Sequence, residues 1–380
     1  MLLTNCAACA APLAHDAPRC VRCKTRYCNS TCQHDHWRRG HKQICKKIHR
    51  GGNAEQYHAD TKYKEAVAVA VEACADDTKG QKCYICLEAL NSRTGEGLVR
   101  GCACGDRDGV SSPELGVVHV SCLARQAKIL REEAEENNLG AKAKIARWVR
   151  WHSCSLCEQN YHGVVNCALG WACWKSYVGQ PETDVIRGVA MNLLGGGLAS
   201  AKRDAESLSV KEAELSMHRR VGGSEHVILM VQGNIAITYI QLGRLEEALR
   251  MRRDVYSGTL ALYGEEHFET FREACNYAGN LLDVRRFKEA KTVLRKTIPV
   301  AQRILGDNTE LMLGMRCNYA KALHMDAGAT LHDLREALHI IEDTERNARR
   351  VFGQSHPMVG QIGDELRHVR MSLRTRSTSP

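Results

Sequence analysis

Fourteen cysteines and two histidines in the first 157 residues fall into two consecutive frameworks of eight potential metal ligands. The first runs Cys6, Cys9, Cys20, Cys23, Cys28, Cys32, His41, Cys45; the second runs Cys83, Cys86, Cys102, Cys104, His119, Cys122, Cys154, Cys157. Thiolates two residues apart, joined by a histidine, are the donor set a tetrahedral zinc ion takes, and eight donors make two sites. Four zinc ions are therefore expected. A stretch of roughly forty residues cannot bury enough apolar surface to fold alone. Structural zinc supplies the missing free energy, about 10–16 kcal/mol per site in zinc-finger peptides. With every donor supplied by protein, no open coordination position remains for catalysis, so these metals are structural.

The same 19 cysteines could in principle make a secreted disulfide scaffold. The start, Met1-Leu-Leu-Thr-Asn5, lacks a basic then apolar leader and reaches candidate ligands by Cys6. The most apolar runs, Ala66 to Ala75 and Gly163 to Trp174, are half the ~20 residues a spanning helix needs. A soluble, intracellular protein is expected, in cytoplasm or nucleus, with reduced thiols available for metal. Residues 1–50 carry ten Lys and Arg against Asp16 and Asp35, nearly all of the chain's formal +9. Metal thiolate sites are themselves anionic, and these cations largely offset them, so nucleic acid is not an expected partner.

The run Tyr27-Cys28-Asn-Ser-Thr-Cys32-Gln33, then Trp37, then His41-Lys42-Gln43-Ile44-Cys45, closely resembles the MYND zinc finger. The resemblance implies interleaved ligation, with Cys6, Cys9, Cys28 and Cys32 on one zinc and Cys20, Cys23, His41 and Cys45 on another. Sequence order alone also permits two sites in series. The family binds short proline-rich peptides, and Gln33 and Trp37 stand where it places part of that contact. Trp37 can equally pack the helix that carries His41, and the two roles are compatible.

From about Ala59 to Cys74 the apolar spacing of Tyr63, Val67, Ala70, Val71 and Cys74 predicts a helix, with Cys74 a packed residue. In the second framework, Cys102-Ala-Cys104 is followed by His119-Val-Ser-Cys122. One residue between the third and fourth ligands, with histidine fifth, resembles the RING-CH variant of the RING finger, as does the trailing Tyr161-His162-Gly163. A PHD finger would place its histidine close behind the fourth ligand, and fourteen residues intervene here. The resemblance implies that Cys83, Cys86, His119 and Cys122 hold a third zinc and Cys102, Cys104, Cys154 and Cys157 a fourth. It also implies a ubiquitin-ligase role without chemistry of its own: a docked conjugating enzyme has its thioester held in a reactive pose. The apolar docking residues would be Ile85 and Leu156. Glu158 departs from the basic residue often found after the last ligand, and Gln126 replaces an expected aromatic. The 31 residues between Cys122 and Cys154 read as a helical hairpin, Leu123 to Glu136 and Ala141 to Trp151, from which Trp148 or Trp151 could restore that aromatic.

Beyond residue 164 the chain repeats with a period of 42: Asn192, Asn234, Asn276, Asn318; Ala236, Ala278, Ala320; Gly222, Gly264, Gly306. Leu242 to Ala248 maps onto Val284 to Ala290, and a five-residue insertion near Asp326 to Thr330 precedes the next copy. Each unit reads as two amphipathic helices. This resembles the long tetratricopeptide repeats of kinesin light chains, with four repeats from about Asp184 to Phe352 and a capping helix from Pro357 to Leu373. The resemblance puts Asn234, Asn276 and Asn318 on the groove-facing helices, able to hold a partner's backbone; satisfying inter-helix polar groups is the other reading. Cys167, Cys173, Cys275 and Cys317 are expected as core residues, and Trp171 and Trp174 as the seal between the second zinc module and the first repeat.

The expected fold is multidomain: two small cross-braced zinc modules followed by an all-α tetratricopeptide solenoid. Its segments are a MYND-like finger (5–46), a linker helix (47–80), a RING-CH-like finger with a helical insertion (81–163), repeats and capping helix (164–373) and a disordered tail (374–380). No catalytic nucleophile, acid–base pair or phosphate loop is present, and no cofactor beyond zinc is expected. Two functions fit: a RING-type ubiquitin ligase or ligase subunit that recruits clients through its repeats, and a non-enzymatic adaptor whose modules only bind proteins. Expected partners are a conjugating enzyme, a proline-rich peptide and a repeat-bound client.

Overall fold

The structure, a computed structural model, describes residues 5–11, 13, 17–102, 104, 116–354 and 356–377. They form two compact units, Met1–Gly222 and Gly223–Pro380. Among the described residues there is no extended strand, only the isolated bridges Arg19/Arg26, Val99/Val118 and Ser153/Asn160. Among the described residues no helix is long and apolar enough to cross a membrane.

In the first unit the finger builds on one broken helix. Asn29 accepts the Cys32 amide at 2.9 Å and starts α1 (Ser30–His36). A π-helical turn over Trp37–His41 follows, with Gly40 at φ 124°, and leads into α2 (Lys42–Arg50). Tyr27, Ile48 and Ala54 pack around the cysteines as a small core. Helix α3 runs Ala54–Ala73, beginning five residues before the apolar pattern does, because Asn53 caps it by accepting the Gln56 amide. Glu55 in the first turn adds favourable charge there.

The 31-residue spacer folds as α4 (Val120–Glu136), α5 (Ala141–Trp148) and a 3₁₀ turn over Val149–Trp151. Next comes α6 (Gly163–Tyr177), apolar on every side and buried among α3, α4 and α7 (Val185–Ser200). α8 (Asp204–Arg220) completes the unit. A single core runs from Cys83, Val99 and Val118 through Trp171 and Trp174 to Leu194, Val210 and Met217. Trp171 and Trp174 thus seal zinc module and first helix pair together, and Cys74, Cys167 and Cys173 are buried in the same core. Two glycines permit the α6–α7 approach. A Cβ on Gly170 would lie 3.0 Å from the Leu193 carbonyl oxygen, and one on Gly197 would lie 2.7 Å from that of Asn166.

The second unit is a series of antiparallel pairs: α9 (Glu225–Gln241) with α10 (Leu245–Tyr263), α11 (Phe268–Asp283) with α12 (Phe287–Leu305), and α13 (Glu310–His324) with α14 (Leu331–Phe352). The repeat register is a packing register. Ala236, Ala278 and Ala320 on the first helices and Ala248, Ala290 and Ala337 on the second are all fully buried, so the pairs close on methyl groups. Gly264, Gly306 and Gly353 end the second helices with φ of 82°, 72° and 79°. Helix α15 runs Pro357–Ser377 and packs on α13 and α14. It continues past Leu373 because the Arg376 guanidinium holds the Ala327 and Ala329 carbonyls in the inserted loop.

Candidate metal centres

The cysteines and histidines of both frameworks converge in four sets, each with its donor atoms within 4.8 Å of one another. They are Cys6, Cys9, Cys28, Cys32; Cys20, Cys23, His41, Cys45; Cys83, Cys86, His119, Cys122; and Cys102, Cys104, Cys154, Cys157. Both modules are interleaved, so the serial arrangement that sequence order also allowed is not the one formed. The only two histidines of the frameworks enter different modules with opposite nitrogens. His41 turns Nε2 to Cys23 Sγ at 3.3 Å, whereas His119 turns Nδ1 to Cys86 and Cys122 at 3.3 and 3.7 Å. The remaining nitrogen of each ring is buried without a hydrogen-bond partner among the described residues.

One local device recurs four times. The carbonyls of Cys6, Cys20, Cys83 and Cys154 accept the amides of Ala10, Lys24, Leu87 and Glu158 at 2.9, 2.9, 2.8 and 3.1 Å. These four residues, each just behind the second cysteine of a Cys-x-x-Cys pair, have φ of 59°, 63°, 64° and 61°. None is glycine, so each turn accepts left-handed strain to aim its backbone N–H groups at sulfur. The Ala8, Ile85 and Leu156 amides stand 3.4 Å from the sulfurs of Cys6, Cys83 and Cys154.

The donor chemistry fits zinc. Burial opposes ionisation of Cys6, but the amides of Cys28, Cys9 and Ala8 outweigh it and bring the thiol to about 6. Cys20 and Cys83 are lowered in the same way against burial by the amides of their own turns. Cys154 falls to about 4, first through its hydrogen bond with Cys102 and then through the Cys157 and Leu156 amides. Cys28, Cys32, Cys45, Cys102, Cys104 and Cys122 move the opposite way. Cys45 and Cys122 are each pushed up to about 12, first by burial and then by neighbouring sulfurs. Each set therefore holds one thiol that ionises readily beside at least one that resists it, and a cation would hold both as thiolates. Sulfur–sulfur distances of 3.4 Å (Cys9–Cys28), 3.7 Å (Cys20–Cys45) and 3.6 Å (Cys104–Cys154) are close to the tetrahedral edge of about 3.8 Å implied by zinc–sulfur bonds. Zinc bound there supplies cross-links, and it is the cofactor of this protein.

The sequence-predicted partner residues are placed as follows. Trp37 is 40 % exposed and meets the His41 ring edge-on at 5.8 Å, so it both packs and presents a face, while Gln33 is half-buried on α1. Ile85 and Leu156 lie on turns joined by the Tyr84 hydroxyl, 3.4 Å from Ser155 Oγ, and both are exposed. Ile85 opens onto a cleft of about 510 Å³ shared with Gln126, Ile129 and Leu130 of α4. Trp148 and Trp151 do not line that cleft. Trp148 packs tilted and Trp151 edge-on against Tyr177 of α6, at 5.4 and 5.8 Å, so neither replaces an aromatic at Gln126. The repeated asparagines differ from one another. Asn234 and Asn276 line a cleft of about 280 Å³ between α9, α10 and α11, whereas Asn318 donates to the Cys275 carbonyl on the neighbouring helix at 3.4 Å. Cys317 is buried and Cys275 half-buried.

Sequence reasoning missed the buried ion pair in the floor of that cleft, Arg252 to Glu273 at 2.9 Å. Arg252 and Glu273 fall at unrelated repeat positions, so no periodic signal marks them. It also missed Glu214 on α8, which is buried beside Lys211 and hydrogen-bonded by Asn192.

Residues 6–45 match the MYND finger family and residues 228–269 a tetratricopeptide repeat family. A 54-residue stretch, 14% of this chain, is 44% identical to ubiquitin carboxyl-terminal hydrolase 17 of Arabidopsis thaliana, of whose length the chain spans only 7%. Among solved structures, BtubC (BKLC) from P. vanneervenii aligns with 67% of this chain and 82% of its own at 12% identity and a TM-score of 0.44. A Podosopora anserina putative kinesin light chain with nearly identical TPR-like repeats aligns with 62% of this chain and 98% of its own at 15% identity and a TM-score of 0.43. The chain thus joins a MYND finger, within a larger zinc-binding cysteine-rich region, to a helical solenoid of tetratricopeptide type.

Proposed function

We propose that this protein is a zinc-dependent ubiquitin ligase, or ligase subunit, that recruits clients through its tetratricopeptide repeats. Each of the four donor sets holds one zinc ion, and the second module acts as a RING-CH-type finger. The observation that carries the reading is the pair of adjoining turns presenting Ile85 and Leu156, with the cleft beside Ile85 continued by Ile129 of α4. Two rigid metal-braced turns and one helix make an apolar seat for a conjugating enzyme, and the gain in rate is positional. The MYND finger takes a proline-rich peptide at Gln33 and Trp37. Asn234 and Asn276 hold the client's backbone in the repeat cleft.

The test is discharge of ubiquitin from a panel of loaded conjugating enzymes, comparing wild type with Ile85→Ala at equal zinc content. Faster discharge that Ile85→Ala abolishes supports the ligase. No acceleration across a broad panel sinks it and leaves the second reading, an adaptor in which all modules only bind. Glu158 favours that second reading. It sits in the strained turn directly behind Cys157, where an acidic side chain opposes rather than assists a bound ubiquitin.

A further inference from the structure

We infer that Asn91 is a positioning residue for the third donor set, its side-chain amide keeping the Cys122 sulfur metal-binding and unreactive. Asn91 Nδ2 donates to Cys122 Sγ at 3.6 Å, and both residues are buried. The rest of Asn91 builds the loop that runs on to Glu96. Its backbone N–H donates to the Glu96 carbonyl at 3.0 Å, and its carbonyl accepts the Gly95 amide at 2.8 Å. Oδ1 accepts the amides of Arg93 and Thr94 at 3.1 and 3.0 Å. Two backbone donors on Oδ1 fix the orientation of the side-chain amide, so the nitrogen is the end that meets sulfur. Glu96 fastens the far end of the loop to the same helix, accepting the Ser121 amide at 3.0 Å and the Tyr63 hydroxyl.

The sulfurs of this set are served by different donors. Cys83 takes the Ile85 amide at 3.4 Å from its own turn. Cys122 lies in the first turn of α4, where its own amide goes to the His119 carbonyl at 3.1 Å. Its sulfur takes a donor from a side chain 31 residues earlier in the chain. A hydrogen bond to a thiolate is charge-assisted and leaves the sulfur less able to attack an electrophile. Protection matters at this place, because Cys86 and Cys122 both line the cleft of about 510 Å³ beside Ile85. Ser92, Arg93 and Thr94 of the same loop wall that cleft. The loop that shapes the cleft is thus the loop that holds the amide on the sulfur. The inference rests on zinc binding by the third set and is independent of ligase activity.

The experiment labels the full zinc-loaded chain with iodoacetamide, reads each cysteine by peptide mass spectrometry, and repeats this while a zinc chelator is titrated. Wild type is compared with Asn91→Asp and Asn91→Ala. The first variant keeps an oxygen for the Arg93 and Thr94 amides and removes the donor to sulfur; the second removes both. Both variants are expected to lose zinc from the third set with about tenfold to a hundredfold lower affinity. With four zinc ions still bound by native mass spectrometry, Cys122 should label at least about fivefold faster than in wild type. Cys86, in the same cleft, should be unchanged, and protection of Cys102 and Cys154 verifies that the module folds. Wild-type behaviour of Asn91→Asp beside a weakened Asn91→Ala would make Asn91 a loop-building residue and overturn the inference. Equal acceleration at Cys83, Cys86 and Cys122 would mean that the whole set opens, and overturns it as well. Rapid labelling of all three in zinc-loaded wild type overturns the metal reading of this set itself.

Discussion

Gly197 of α7 lies against the Asn166 carbonyl of α6 with no room for a side chain: a Cβ there would sit 2.7 Å from the oxygen and 3.1 Å from Cys167 Cα. Both neighbours are backbone, so neither can swing aside. Gly197→Ala should therefore force the helices apart and cost about 1–3 kcal/mol. The adjacent Gly196 has open space around it. Gly196→Ala should gain up to about 1 kcal/mol from helix propensity. Thermal melts of the two single variants check the contrast, and equal effects would refute it.

The four metal sets are unequally shielded. In the first, Cys9 is exposed and Cys28 and Cys32 are half-buried, while the second and fourth sets are wholly buried. Chelator titration followed by native mass spectrometry should remove one zinc well before the other three. Cys9→Ser should lower zinc content by about one ion and leave the melting of the helical repeats intact. Cys154→Ser should instead unfold the first unit. Simultaneous loss of all four ions would refute the ranking.

Burial raises the Glu214 carboxyl from 4.5 to about 8. The folded state then holds its proton more tightly than the unfolded state does. The penalty for ionising it is absent below pH 4.5, grows between 4.5 and about 8, and is fully present above. Glu214→Gln removes the ionisable group and keeps the hydrogen bond with Asn192. The variant should be more stable than wild type by roughly 1–3 kcal/mol at pH 8, with the difference vanishing towards pH 4.5. A pH-independent difference in denaturant midpoint would contradict this.

Arg252 and Glu273 pair at 2.9 Å with only 6% and 7% of their side chains exposed. Removing one partner strands a buried charge, so Glu273→Leu should cost about 3–5 kcal/mol. The double variant Arg252→Met/Glu273→Leu should recover most of that loss, which a double-mutant cycle by urea unfolding measures. Additive losses would mean that the two groups do not act as a pair.

Asn318 donates across the helix interface to the Cys275 carbonyl, whereas Asn276 donates within its own helix to Glu273 and lines a cleft with Asn234. Asn318→Ala should lower the melting temperature through loss of a hydrogen bond worth about 1 kcal/mol. Asn234→Ala and Asn276→Ala should weaken client binding in calorimetry and move the melting temperature less. The reverse pattern would make the asparagine ladder a packing feature only.

What the sequence revealed follows from where chemistry restricts residue choice. Metal donors admit two residue types at tight spacings, so sixteen ligand candidates stood out, and closely packed methyl groups kept Ala236, Ala278 and Ala320 in register. The grouping of donors into sets was not readable from order, because serial and interleaved chains share it. The strained turns were also silent: Ala10, Lys24, Leu87 and Glu158 adopt positive φ without the glycine or asparagine that would mark it. Helix α3 began early because the cap at Asn53 precedes the apolar stripe. Trp148 and Trp151 turned towards Tyr177, since a partner on a helix not adjacent in sequence leaves no local pattern.

The core that runs from Cys83 through α6 to Met217 has a consequence for biosynthesis. The helix pair α7–α8 closes on α6, and α6 in turn packs against the second metal module, where Gly101 meets Val165. Metal loading of the second module then fixes one of the surfaces on which α6 settles as the chain leaves the ribosome. Where zinc is scarce, nascent chains would leave α6 without that support while the later hairpins, whose described cores hold no metal donor set, mature on schedule.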